Sequence, residues 1–255
     1  MRAFNRLLCA MLVLLAAALA SPALRAQSFV QGNSSVAPSA TTVVVTYTQA
    51  QVSGDLNIVV VGWKDTTATV SSVTDTAGNT YTRAVGPTVL SGQLSQSIYF
   101  AKNIAAAPAA SNAVTVTFSA SATAPDVRVL EYSGLDANNP VDGAAGASGN
   151  GSIPDSGAAA TGNPTDLLIG ASTSTTSTSS AGASYSARMI TANGNLVEDQ
   201  AVSTAGSYDA TSTLSSPGSW VMQIAAFKLA GAPPAPSAPA NLTASAVSSS
   251  QINLS

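Results

Sequence analysis

Val114, Val116 and Phe118 alternate with Thr115 and Thr117, and the same two-residue period returns along most of the chain. A period of two puts successive side chains on opposite faces of a pleated strand. Residues 41–48 alternate Thr and Val around Val43, Val44 and Val45. Residues 96–102 set Ile98 and Phe100 on one face and Tyr99 on the other, and residues 127–132 continue the pattern. No stretch carries the 3.6-residue period of an amphipathic helix. Residues 105–110 are Ala-rich but broken by Pro108, which predicts a loop. The pattern excludes helical and α/β folds and predicts an all-β chain.

Residues 55–63 differ from the rest. Leu56, Ile58 and Val60 are apolar at one parity, and Val59, Val61 and Trp63 at the other. That pattern suits a central strand covered on both faces. Residues 70–74 and 80–84 flank Asp75-Thr76-Ala77-Gly78-Asn79, read as a tight hairpin turn. Residues 143–163 are rich in Gly, Ala and Ser and read as a long loop or irregular edge. Further strands are predicted at 165–171, 184–190, 196–202, 208–213 and 219–229. Turn signals recur at intervals of about 8–15 residues, the spacing of a sandwich or barrel. The expected fold is a two-sheet, mostly antiparallel β-sandwich of jelly-roll type over residues 27–230.

The ends carry a different message. Arg2 and Arg6 precede an apolar run at residues 7–19, and Leu24-Arg25-Ala26 offers a cleavage site before Gln27. Residues 1–26 therefore read as a secretory signal peptide. The apolar run is shorter than the roughly 20 residues a membrane span needs. A secreted location, extracellular or at the cell surface, is expected, with no membrane contact after cleavage. Losing Arg2, Arg6 and Arg25 leaves six basic residues against twelve acidic ones, a net charge of −6. The six are scattered singly, which argues against nucleic acid as a partner. Cys9, the only cysteine, lies in the signal, so the remaining fold has no disulfide to rely on and needs a sizeable core.

Pro233, Pro234, Pro236 and Pro239 mark a linker over 231–239. The residues after it, Ala240-Asn241-Leu242-Thr243-Ala244 and then Ser248-Ser249-Ser250-Gln251-Ile252-Asn253-Leu254-Ser255, resemble the first two strands of a fibronectin type III domain, incomplete over 240–255. That resemblance implies an adhesion or spacer module. The main domain is similar to secreted β-sandwich domains of modular bacterial surface and extracellular proteins. The residues that carry the similarity are Asp55-Leu56-Asn57-Ile58-Val59-Val60-Val61-Gly62-Trp63, Val73-Thr74-Asp75-Thr76-Ala77-Gly78-Asn79-Thr80-Tyr81, Ile98-Tyr99-Phe100-Ala101-Lys102-Asn103 and Val129-Leu130-Glu131-Tyr132-Ser133-Gly134-Leu135-Asp136, with the strand from Trp220 to Phe227. It implies an architecture and a modular context but no activity.

The chain contains no histidine, which removes Ser-His-Asp and Cys-His nucleophile systems and histidine-based zinc sites. No catalytic residues are assigned and no cofactor is expected, calcium being the exception to weigh. Asp136, Asn138, Asn139 and Asp142 fall in one loop and offer the hard oxygen ligands calcium takes, although Asx-turns explain the same residues. Trp63, Tyr81 and Tyr99 are the candidate ligand-binding rings, since a flat ring with a polar edge serves sugar binding. Burial in the core is the competing role for Trp63, and Tyr99 is expected to be the surface ring. The leading function is a non-catalytic module for adhesion, carbohydrate or other polymer binding, or display, with an extracellular polysaccharide or surface protein as partner. The alternative is a sandwich-type glycoside hydrolase, which needs two carboxyl groups about 5–10 Å apart. Glu131 has no acidic neighbour at two-residue spacing, and the side chains of Glu198 and Asp199 point to opposite faces of a strand. Both glutamates are expected to be solvated surface acids.

The tail carries Leu242, Ala244, Ile252 and Leu254 at would-be core positions without the second sheet of a sandwich. Two strands bury too little to offset a backbone ordering cost of roughly 1–2 kcal/mol per residue. Truncation after Gly231 is expected to leave the thermal midpoint unchanged in a calorimetric scan. A drop of several degrees would show that the tail packs on the main domain.

Overall fold

The computed structural model describes residues 27–231 and the backbone of 244–248 and 251–254. The signal peptide assigned to 1–26 and most of the proline linker lie outside the described residues. Residues 28–228 form β1 (Ser28–Val36), β2 (Ser39–Thr46), β3 (Leu56–Trp63), β4 (Val70–Asp75), β5 (Thr82–Leu90), β6 (Leu94–Ala101), β7 (Ala113–Thr123), β8 (Asp126–Ser133) and β9 (Val141–Gly151). The second half adds β10 (Ala159–Ala160), β11 (Asp166–Ser174), β12 (Thr178–Ala181), β13 (Ser186–Ile190), β14 (Leu196–Val202), β15 (Ser207–Tyr208), β16 (Ser212–Leu214) and β17 (Gly218–Lys228). The described residues contain no helix, and every strand pair is antiparallel. The chain is all-β, as the two-residue period requires.

The strands stack three sheets deep, where two were expected. A central sheet runs β1-β8-β3-β6-β5, a three-stranded sheet β2-β7-β4, and a distal sheet β13-β14-β11-β17-β9. Strand β3 shows why three layers are needed. Leu56, Ile58 and Val60 join Phe100, Leu130, Leu167, Ile169 and Phe227 in the core between the central and distal sheets. Val59, Val61 and Trp63 join Val43, Val45, Val114, Val116 and Phe118 between the central and three-stranded sheets. A two-sheet sandwich would leave one of these rows in water, at about 1.5–3 kcal/mol per large side chain. A third cluster, with Leu168, Met222, Ile224 and Ala226, lies on the outer face of the distal sheet. The small pair β10–β15 belongs to that side, and the pair β12–β16 is tied to it through the Gly182 amide on Glu198.

One local reading changes and a second narrows. Asp75 to Asn79 does form a turn, with the Gly78 amide 3.3 Å from the Asp75 carbonyl. The flanking strands do not pair with each other: β4 pairs with β7 and β5 with β6. The turn carries the chain from one sheet to another, because turn chemistry is local and the choice of partner is not. Of the two readings of residues 143–163, a long loop or an irregular edge, the edge holds for the first part. That part belongs to β9, an eleven-residue edge strand on β17. Its small residues are set by close approach: a Cβ on Gly143 would meet the carbonyl oxygen of Ala160, and one on Gly146 the hydroxyl of Thr88. By the tail, β18 (Ala244–Ser248) and β19 (Gln251–Leu254) pair as an antiparallel hairpin.

A buried polar clasp joins the central and distal sheets. Arg128 on β8 is fully buried. Its Nη1 donates to the carbonyls of Ser172, at 2.8 Å, and Leu196, at 3.0 Å. The β11–β14 ladder ends at the pair Ala171–Val197, so these are the next two carbonyls, left without each other's amides. Nη2 donates to Gln96 Oε1 and Thr173 Oγ1, and Nε pairs with Asp126 Oδ1 at 3.2 Å. Asp126 Oδ2 accepts from Thr191 Oγ1 and Asn195 Nδ2, both at 2.6 Å. Gln96 donates to the Ala171 carbonyl, and Gln223 to the Gln96 carbonyl. Arg128→Met strands Asp126 as a buried charge and leaves two carbonyls unpaired. It is expected to lower unfolding free energy by about 3–5 kcal/mol, read as a shift of the urea midpoint.

Candidate functional site

An open cleft of about 370 Å³ lies where the chain crosses between the three-stranded and central sheets. Residues 77–80 and Thr82 form one wall, and residues 102–105 and Ser53 the other. The crossing is held by Asn79, whose amide and side-chain nitrogen donate to Asp75 at 2.9 and 2.7 Å, while its Oδ1 accepts from the Ala105 amide at 2.9 Å. The two walls are thus tied to each other.

Behind the cleft the tie continues inward. Asp75 Oδ2 also accepts from the Tyr81 hydroxyl at 3.0 Å and Asn112 Nδ2 at 3.1 Å. Asn57 donates to the Tyr81 hydroxyl, Gln51 to Asn57, and Asn112 to Gln51. Burial, then the Asp75 charge, push the Tyr81 phenol well above its ordinary pKa, so it stays a neutral donor. The result is a mostly neutral surface that mixes the hydroxyls and amides of Ser53, Thr80, Thr82 and Asn103 with apolar Ala77 and Ala105, and has Lys102 at the rim. The Lys102 ammonium donates to the Asn138 carbonyl. Such a surface can hydrogen-bond a neutral, hydroxyl-rich chain. It presents no acid–base pair.

The sequence candidates are dispersed. Trp63 is buried, its Nε1 donating to the Ala68 carbonyl at 3.0 Å and its ring edge-on to Phe118. It offers no stacking face. Tyr81 is half-buried, and its hydroxyl is consumed by Asp75. Tyr99, expected on the surface, is half-buried against the core beneath the three-stranded sheet. Its face does oppose Ile98 and Phe100, but a third layer covers it. In the proposed calcium loop, Asp136 Oδ1 accepts from the Asn138 and Asn139 amides at 2.7 and 3.1 Å, an Asx-type turn. Asp142 turns elsewhere, accepting from the Gly162 and Asn163 amides. Among the described residues no three His, Cys, Asp or Glu side chains are grouped to hold a metal. Sequence reading missed the 102–105 wall, because nothing local shows that this loop faces residues 77–82.

Both glutamates are buried, not solvated. Glu131 lies on the β8 face opposite Leu130 and Tyr132. It accepts from Gln31 Nε2 at 2.6 Å and the Val52 amide at 3.3 Å. Asp199 accepts from the Tyr132 hydroxyl and Arg188 Nε, both at 2.7 Å. Glu198 faces the other way, onto the outer cover, where its Oε2 accepts from the Gly182 amide at 2.8 Å and its Oε1 has no partner. No protein-family model, curated protein or solved structure matches the chain.

Burial raises the Glu198 pKa to about 7; the Gly182 amide works against this and the Asp199 charge adds to it. The folded chain holds this proton more tightly than the unfolded one, whose value is near 4.5. The contribution to stability is therefore full below about pH 4.5 and lost as pH rises through about 7. Burial, then the charges of Glu198 and Asp209, push the Tyr185 phenol above its ordinary pKa. Glu198→Gln is expected to stabilise the fold by about 2–3 kcal/mol at pH 8 and to change little at pH 4, measured by denaturant titration at both values.

Proposed function

We propose that the chain is a non-catalytic module of a larger exported protein, extracellular or at the cell surface, which binds a neutral polysaccharide or similar polymer through the cleft between residues 77–82 and 102–105. The observation that carries this reading is the cleft itself, a concave surface that sets hydroxyls and amides of Ser53, Thr80, Thr82 and Asn103 beside small apolar groups of Ala77 and Ala105 and carries no carboxylate. Such groups exchange hydrogen bonds with a polyol without the desolvation cost of charge. The signal-like residues 1–26, the proline linker and the resemblance of residues 240–255 to the start of a fibronectin type III domain support the modular context.

The glycoside hydrolase alternative is disfavoured by where the acids sit. Glu131 is on the side of the central sheet that faces the three-stranded sheet, and Glu198 is on the outer face of the distal sheet. At least one sheet spacing of about 10 Å, plus the side chains, separates them. Paired glycosidase carboxyls lie at most about 9.5 Å apart across an open cleft.

Retention on a panel of insoluble neutral polysaccharides is the test, with reducing-sugar release assayed on the same samples. Retention without release is expected, and at least a tenfold loss of retention in Thr82→Arg, whose bulk fills the cleft from an exposed position. Release of sugar that is abolished by Glu131→Gln or Glu198→Gln would replace the binding reading with the enzymatic one. Undiminished retention in Thr82→Arg would move the site away from the cleft.

A further inference from the structure

The outer face of the distal sheet holds two neighbouring carboxyl groups, Asp142 and Asp166, which are both bonded by Asn163. Asp166 opens β11, where its partners across the sheet are Lys228 and Val202. Its neighbour Leu168 lies in the outer cluster, so Asp166 points outward beneath the segment that follows β10. Asp142 sits at a bulge in β9. Val141 pairs with Phe227 and Gly143 with Ala226, which leaves Asp142 as the extra residue. A bulge re-aims a side chain, and this one brings Asp142 within hydrogen-bonding reach of Asp166.

The surrounding donors leave part of the pair unsatisfied. Asp142 Oδ2 accepts from the Gly162 and Asn163 amides at 2.7 and 2.8 Å. Asp166 Oδ1 has only a long contact, 3.4 Å, from Asn163 Nδ2. Asp166 Oδ2 is buried and has no hydrogen-bond partner, and the residue as a whole is fully buried. Lys228 acts on Asp166 electrostatically, yet among the described residues the ion pairs are Arg128–Asp126 and Arg188–Asp199. A buried carboxylate oxygen without a donor, beside a second carboxylate that shares Asn163 with it, calls for a cation or a proton.

We propose that Asp142 and Asp166 form a binding site for a hard divalent cation of the calcium type, closed over by residues 161–165. Two carboxylates from different strands, with water to complete the shell, make an all-oxygen, irregular donor set. Ca²⁺ accepts such a set more readily than Mg²⁺, which demands near-octahedral geometry. The bound ion would tie the start of β9 to the start of β11 across the intervening β17. The site differs from the 136–139 loop, whose carboxylate is already capped by backbone amides.

The test uses the full chain, with thermal unfolding followed in EDTA, in CaCl₂ and in MgCl₂ at pH 7.5. At a hundredfold excess over Kd, calcium is expected to raise the midpoint by about 5–10 °C, and magnesium by much less. Asp166→Asn removes the charge conflict at constant size. It is expected to match or exceed the parent in EDTA and to show no calcium response. Asp136→Asn is expected to keep the full response, and isothermal titration should give one site per chain in the parent and none in Asp166→Asn. A parent that ignores millimolar calcium, while Asp166→Asn is more stable in every buffer, would overturn the proposal in favour of a proton shared by the pair. Loss of the calcium response in Asp136→Asn would overturn it in favour of the loop.

Discussion

The guanidinium of Arg128 is the group on which the stacking of the central and distal sheets depends. It stands on the central sheet and donates to two carbonyls of the distal one, at the point where the β11–β14 ladder comes apart. A splayed ladder normally exposes its carbonyls to water. Here they are buried, and a side chain with five fixed donors replaces the solvent. Asp126 balances the charge and in turn collects Thr191 and Asn195 from the turn after β13. Apolar packing alone would let these sheets slide over each other at small cost. Directional bonds to particular carbonyls fix one register.

The same device recurs at the other interface. Asp75, Tyr81, Asn57, Gln51 and Asn112 form a chain of hydrogen bonds between the three-stranded and central sheets. Charged residues are only 8% of the chain, and several of the acids are inside it. Asp126, Glu131, Asp166, Glu198 and Asp199 are all buried. The outer surface is left to Ser, Thr and Asn, which carry no mutual repulsion. A chain without disulfides thus relies on buried polar ties as well as on its apolar clusters. Where a tie is incomplete, as at Glu198 and Asp166, the fold becomes sensitive to pH or to added cations.

The sequence was informative about elements and silent about their partners. The double parity of residues 55–63 shows that both faces of one strand are buried, and so already asks for a third layer that the two-sheet expectation lacked. The turn at Asp75–Asn79 was visible in its residues, but its role as a crossing between sheets was not. The Gly and Ala of β9 left a loop and an irregular edge both open, because their reason lies in Ala160 and Thr88, residues remote in sequence. The candidate cleft was half legible: its 77–82 wall contains the turn and Tyr81, while its 102–105 wall is brought there only by the end of β6.

By itself the sequence determined strand content, the exclusion of histidine chemistry, and the opposite facing of Glu198 and Asp199. All three follow from residue identity and the two-residue period, which are local. Tertiary structure alone decided which faces are covered, and so turned Glu131, Glu198 and Tyr99 from expected surface groups into buried or half-buried ones. It alone set Asp142 beside Asp166 across 24 residues of chain. Burial depends on what a third layer places over a strand, and no period within the strand records that.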